Sequence, residues 1–329
     1  MSRGAFMKRR EFLAALGASA LLCPRPASAV ERVIGVLVGS EKTTAVLQRL
    51  EVLRNALSRL GWTEGREIKF EYRFEPDGKR LPERATELVA AGCAVILTNS
   101  TLETLAAMTA TKTIPIVFFA AADPIGSRIV QSLAKPGGNV TGATNFEPSL
   151  GSKWIDLLRH VAPSTARIAV LTNTENPGER GMRIAVEDAA SQKKLSVVTV
   201  AAQQKEDLKT SLEAFGETPN GGLIILPGNA TGIASALIVD LAAKLGLAAV
   251  YPWRHFVDDG GLLSYGVDLM EGVVRAASHA DKILRGAAPA DLPVEGPTKF
   301  LLVLNLKTAN RLGLTVPQTM LVAADEVIE

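Results

Sequence analysis

A chain of 329 residues, 47% of them hydrophobic and 21% charged, is long enough for two cored domains and too apolar to be disordered. Its two cysteines exclude a disulfide scaffold and a cysteine-rich metal site. The formal charge is +2, but residues 1–29 carry +4 (Arg3, Lys8, Arg9, Arg10 and Arg25 against Glu11), so the remainder is −2, which argues against nucleic-acid binding.

Residues 1–29 read as an export signal rather than as part of a fold. Lys8-Arg9-Arg10-Glu11-Phe12-Leu13 precedes an Ala-rich apolar run, and Ala27-Ser28-Ala29 supplies the small residues of a cleavage site. Paired arginines followed by x-Phe-Leu have the twin-arginine form. The run falls short of the ~20 apolar residues that span a bilayer. Cleavage near Ala29 places the expected protein in the periplasm.

The rest alternates between strand and helix patterns. Residues 32–38 form an apolar run typical of a strand buried on both faces, ending at Gly39-Ser40. Val46, Leu50, Leu53, Leu57 and Leu60 then repeat at helical spacing until Gly61. Ile68, Phe70, Tyr72 and Phe74 alternate with polar residues, as in a half-exposed strand. A helix over 81–91, a strand over 94–98, a helix over 102–110 and a strand over 114–119 follow. Asp123-Pro124 is a good helix opening, and Ile125, Ile129, Val130 and Leu133 suit a helix stopped by 135–139. Residues 140–144 look extended and should leave the first lobe for a second.

The second series has helices over 150–161, from 177 to about 193, over 205–215 and from about 231 to 246, with strands at 167–172, 195–200, 222–226 and 247–251. Residues 260–266 read as a second crossing, 269–284 as a helix returning to the first lobe, and 292–297 as a third linker. A strand over 300–305 and a short helix over 306–312 complete the pattern, and the tail after Pro317 has no clear place. The expected fold class is α/β, with two doubly wound parallel-sheet lobes joined by three crossings. The expected division is 30–142 plus 266–291 for the N-terminal lobe and 143–265 plus 292–329 for the C-terminal lobe.

In open α/β sheets, ligands bind beyond the carboxyl ends of the strands. Short polar residues fall at those ends: Ser40, Asn99, Ser100, Thr101, Asp123, Asn173, Asn176 and Asn229, with Asp268 after the second crossing. Free N–H groups there can hold a carboxylate, helped by the helix dipole. Asp123 and Asp268 have the charge to meet an ammonium group. Each residue also suits a plain helix cap or turn. Enzyme signatures are missing: His160, His255 and His279 lack metal-ligand spacing, and there is no Gly-x-Ser-x-Gly elbow, Walker loop or three-glycine fingerprint. No cofactor is expected.

Several segments, in order, carry a family resemblance: Lys8-Arg9-Arg10-Glu11-Phe12, Gly61-Trp62-Thr63-Glu64-Gly65, Ile114-Pro115-Ile116-Val117, Asp123-Pro124, Lys135-Pro136-Gly137-Gly138-Asn139-Val140-Thr141-Gly142, Gly260-Gly261-Leu262-Leu263-Ser264-Tyr265-Gly266 and Pro297-Thr298-Lys299-Phe300. With them the chain resembles the substrate-binding proteins of bacterial ABC transporters, in the group of tryptophan- and tyrosine-type binding proteins. The resemblance implies a type I periplasmic-binding fold that closes on a small-molecule ligand and delivers it to an ABC permease and its ATPase, acting as a monomer. Matching positions Ser40, Ser100, Thr101, Asp123, Asn176, Asn229 and Asp268 would line the cleft.

The ligand itself is less well marked. Glu41-Lys42-Thr43-Thr44 lacks the aromatic residue expected near a ring pocket, and Phe119, Phe146 and Tyr251 are the remaining candidates for stacking. A small carboxylate-bearing solute, an amino acid or a relative, is the expected ligand. The alternative is an exported α/β hydrolase or racemase acting on a small acid.

Overall fold

The computed structural model describes residues 31–145, 147 and 149–329. The export signal and Phe146 lie outside the described residues.

The first lobe is built on five parallel strands: β1 (Arg32–Val38), β2 (Ile68–Phe74), β3 (Val95–Thr98), β4 (Ile116–Ala121) and β5 (Val140–Thr144), in the order β2-β1-β3-β4-β5. β1 is buried from Ile34 to Val38, as its unbroken apolar run requires. Helix α1 (Thr44–Arg59) opens with the Thr43 hydroxyl accepting from the Val46 N–H at 3.3 Å, and buries the stripe Val46, Leu50, Leu53, Ala56 and Leu57. Helices α2 (Leu81–Ala90) and α3 (Thr101–Ala110) cover the opposite face.

One expected helix is absent. The stretch after β4 is a chain of turns, with the Ser127 N–H donating to the Asp123 carbonyl and the Ile129 N–H to the Pro124 carbonyl. Asp123 (φ 39°) and Arg128 (φ 57°) both lie in the left-handed region, so no helix can run through them. Ile129 and Val130 are drawn into the core, whereas Ile125 and Leu133 stay exposed. The apolar residues therefore do not share one helical face.

The second lobe carries α4 (Leu150–Val161), β6 (Arg167–Thr172), α5 (Pro177–Gln192), β7 (Ser196–Ala201), α6 (Lys205–Gly216), β8 (Gly221–Ile225), α7 (Asn229–Ile233), α8 (Ser235–Lys244), β9 (Ala248–Tyr251), α9 (Arg254–Asp258) and β10 (Leu263–Val267). Helix α10 (Leu269–Leu284) then packs on the first lobe, placing Val273, Ala276, Ala277 and Ala280 against Ile34, Val36, Val117 and Phe119. The chain returns as β11 (Phe300–Asn305), α11 (Leu306–Arg311), α12 (Gln318–Ala323) and β12 (Glu326–Ile328). The second sheet has the order β12-β11-β10-β9-β8-β6-β7. It is parallel except that β11 runs antiparallel to β10, because the chain re-enters from the other lobe. The tail after Pro317 thus supplies a short edge strand.

The crossings lie side by side. β5 continues to Thr144, and β10 to Val267, each past the residue at which the pattern divides the lobes. The third crossing lies along β5: the Glu295 N–H donates to the Gly142 carbonyl at 3.0 Å, and the Thr144 N–H to the Glu295 carbonyl at 2.9 Å. Each lobe keeps apolar clusters on both faces of its own sheet. Among the described residues no helix is long and apolar enough to cross a membrane.

Gly142 sets the close pairing of β5 with β4. It has φ 152°, and a Cβ there would sit 2.0 Å from the Phe118 carbonyl oxygen, just where the β4–β5 register shifts. Gly142→Ala should destabilise the protein by about 2–4 kcal/mol, read from urea unfolding. An unchanged midpoint would show that β5 can move aside.

Candidate functional site

Because the strands of the first sheet and β6, β8 and β9 are parallel, their carboxyl ends gather the loops of each lobe along one edge. Ser40, Asn99 to Thr101, Asp123 and Asn145 follow strands of the first sheet, while Asn173 to Asn176, Asn229 and Trp253 follow strands of the second.

The two edges touch. The Asn229 amide donates to the Gly39 carbonyl at 3.2 Å and to Glu103 Oε1 at 3.1 Å, and its oxygen accepts from the Asn99 amide at 3.4 Å. Helix α5 meets the first lobe with bare backbone. A Cβ on Gly178 would fall 2.3 Å from Thr101 Oγ1 and 2.7 Å from the Ala122 carbonyl oxygen, and one on Gly181 would fall 2.3 Å from Asp123 Oδ2. The lobes are closed on each other.

Each wall holds a buried glutamate three residues after a helix N-cap. Glu103 follows Ser100 at the start of α3 and is fully buried. It accepts from the Gly39 N–H at 2.7 Å, from the Ser100 hydroxyl and from Asn229. Glu179 follows Asn176 at the start of α5 and accepts from the Asn173 N–H at 2.6 Å, Thr172 Oγ1 at 2.8 Å and the Asn176 amide at 3.0 Å. All three donors favour its ionised form, yet burial outweighs them and pushes the carboxyl up to about 7. The Ser-x-x-Glu and Asn-x-x-Glu spacings are those of a capping box, but both glutamates turn to the ends of strands.

The sequence-nominated residues divide by what they bond. Asn99 and Asn229 reach across the seam. Ser40 is 8% exposed, its hydroxyl donating weakly to the Glu41 carbonyl at 3.4 Å. The Ser100 hydroxyl is committed to Glu103, and Thr101 Oγ1 bridges the N–H and carbonyl of Ala122. Asn176 caps α5, and Asn173 accepts from the Glu175 N–H. Asp123 accepts from the Gly126 N–H at 3.0 Å and so closes its own turn. Asp268 caps α10 through the Met270 N–H at 2.8 Å and is exposed. Phe119 and Tyr251 lie in the cores.

Residue-by-residue reading of the sequence missed Glu103, Glu179, Asn145 and Arg49. The capping-box spacing marked the two glutamates, but no pattern marks Arg49. Arg49 lies one turn into α1, and its Nη1 donates to Asn99 Oδ1 at 3.3 Å. Among the described residues this is its one hydrogen bond. Burial lowers its pKa, and the Glu103 charge partly restores it. On the facing wall, burial holds His255 below the usual imidazole range, with Asp259 opposing that shift and Arg49 adding to it.

The sequence model for ABC transporter substrate-binding proteins matches residues 34–328. The chain belongs to that family. This substrate-binding protein is 24% identical over 261 residues to the tyrosine-binding protein of Clostridioides difficile (strain R20291), covering 79% of this chain and 74% of that one. It shares its fold with an ABC domain from Streptococcus pneumoniae solved in complex with L-Trp, with a TM-score of 0.84, 24% identity and coverage of 91% of this chain and 100% of the other. A conserved domain protein from Vibrio cholerae gives a TM-score of 0.84 at 25% identity, covering 90% and 99% of the two chains. The fold is the type I periplasmic-binding one, and the family is one of binding proteins, not enzymes.

Two outcomes test this geometry, one the buried carboxyl and one the closed seam. Glu179 has its carboxyl at about 7 in the fold against 4.5 in the unfolded chain. The folded protein therefore holds the proton more tightly. This group's stabilisation is complete below pH ~4.5 and is lost as the pH rises through about 7. Relative to Glu179→Gln, the parent should lose on the order of 2–3 kcal/mol between pH ~4.5 and ~8 in urea titrations, and parallel profiles would contradict the buried carboxyl. Gly178→Ala should hold the lobes apart and raise the radius of gyration in small-angle scattering; an unchanged radius would refute backbone contact there.

Proposed function

We propose that this protein is the periplasmic receptor of an ABC importer. Residues 1–29 direct export and are removed near Ala29, and the mature chain acts as a monomer. Its lobes, 30–142 with 266–291 and 143–265 with 292–329, close on a small carboxylate-bearing solute, an amino acid or a relative. The closed form is then read by a permease and its ATPase.

The observation that carries this reading is Arg49, a guanidinium at the closing seam with one hydrogen bond, at 3.3 Å, among the described residues and most of its five donors unspent. A ligand carboxylate would fill the fork in the bidentate way that guanidinium favours. Ser40, Asn99, Ser100, Thr101, Asp123, Asn173, Asn176, Asn229 and Asp268 supply the polar lining. The relatives described with tyrosine and L-Trp support an amino acid as cargo. A ligand gripped by both lobes stabilises the closed state by its differential affinity, which is the signal a permease needs.

The test is a thermal-shift screen of the mature chain against amino acids, simple carboxylates and purine-like solutes. A ligand present at 100 times its Kd should raise stability by about 2.7 kcal/mol. Arg49→Gln should weaken the best carboxylate about tenfold or more. A broad screen without a stabilising solute would overturn the receptor reading, and unchanged affinity in Arg49→Gln would remove Arg49 from it.

A further inference from the structure

All three crossings meet at one small cavity. Thr144 and Asn145 wall it from the end of β5, Asp268, Glu271 and Arg275 from the start of α10, and Gly296 from the third crossing. Its volume is about 20 Å³, room for a single water-sized polar group. Asn145 and Asp268 stand just beyond the carboxyl ends of β5 and β10, the strand ends at which open α/β sheets take their ligands.

The lining is rich in acceptors and short of donors. Asn145 is 7% exposed, and its Oδ1 has no hydrogen-bond partner among the described residues. A buried acceptor left empty is costly, so it calls for a donor from outside the chain. Arg275, the one cation of the wall, is already committed. It donates to the Gly296 carbonyl, to Glu271 Oε1 at 2.6 Å and to Thr298 Oγ1 at 2.9 Å. Glu271 also accepts from the Thr298 hydroxyl at 2.7 Å, and these bonds hold its carboxyl below the usual range. Asp268 uses one oxygen to cap α10 and has no ion pair among the described residues. Asp268 and Glu271 against Arg275 leave the wall one negative charge in excess. The positive end of α10 offsets only part of it.

We propose that this cavity takes the ammonium group of the ligand, with Asn145 Oδ1 accepting a hydrogen bond from it and the Asp268 carboxylate as its counter-charge. The proposal rests on the receptor reading given above and names the opposite pole from Arg49. It also accounts for specificity. An ammonium has three donors to spend, whereas an analogue without it leaves Asn145 empty and Asp268 uncompensated. Because Asn145 belongs to the first crossing and Asp268 to the second, one bound group would tie two hinges together and so couple recognition to closure.

Titration calorimetry on the mature chain tests this with two matched pairs: L-tyrosine against 3-(4-hydroxyphenyl)propanoate, and L-leucine against 4-methylpentanoate. The parent should prefer at least one amino acid over its des-amino partner by about tenfold or more. Asn145→Leu and Asp268→Asn should each bring that ratio down towards one. Asp268→Asn keeps an N-cap residue at an exposed position, so it stays folded and decides the matter if Asn145→Leu does not. A preference that survives both variants overturns the proposal and leaves the receptor reading standing, with the cavity holding only water. Carboxylates that bind with no preference for the amino form also overturn it alone. A parent that binds no member of either pair overturns the proposal together with the amino-acid reading of the cargo.

Discussion

The carboxylate of Glu103 bonds the closed seam. It has no solvent-exposed surface, and burying such a charge is expensive unless its lone pairs are filled. Two of its donors, the Gly39 N–H and the Ser100 hydroxyl, come from its own lobe, and the third, the Asn229 amide, comes from the other. Opening the lobes withdraws that amide and leaves water to replace it. The exchange is worth about 1–3 kcal/mol at most. Glu179, its counterpart in the facing wall, is satisfied entirely by its own lobe, so the seam is not symmetric.

Bare backbone lets the walls come close enough for this bond to form. Gly178 and Gly181 present α5 to Thr101, Ala122 and Asp123 without a side chain between them, and Gly39 opens the β1 loop to Glu103 and Asn229. Side chains at Gly178 and Gly181 would collide with the other lobe, whereas one at Gly39 would collide first with Glu103 of its own lobe. The small residues of β5 work in the same way at the hinge. Gly142 admits the Phe118 backbone, and the third crossing then bonds to β5 through Glu295. The crossings form one bonded ribbon rather than loose linkers between two separately cored bodies.

Charge at the seam is arranged at two poles. Arg49 lies against Asn99 and near Glu103, and the acidic wall of Asp268 and Glu271 lies by the crossings. A zwitterion with its carboxylate at one pole and its ammonium at the other would satisfy both. Glu271 is paired with Arg275 and Thr298, so the groups left with bonding capacity at the two poles include the Arg49 guanidinium and Asn145 Oδ1 among the described residues.

Local pattern carried the architecture. Apolar runs bounded by turn residues fixed nearly every strand, and the alternation of strand with helix implied parallel sheets and hence a cleft at their carboxyl ends. The capping residues Asn176 and Asp268 were readable for the same reason, since cap chemistry acts within a few residues of chain. Where two local signals competed, pattern failed: Asp123-Pro124 looked like a helix opening, but positive φ at Asp123 and Arg128 turned the segment back on itself. The antiparallel β11 was also hidden, because strand direction depends on the lobe from which the chain returns. The pairing of Asn229 with Glu103, the unspent donors of Arg49 and the empty acceptor of Asn145 could come only from the tertiary structure. Each joins residues distant in sequence, and whether a polar group is satisfied depends on what packs against it, which no local pattern encodes.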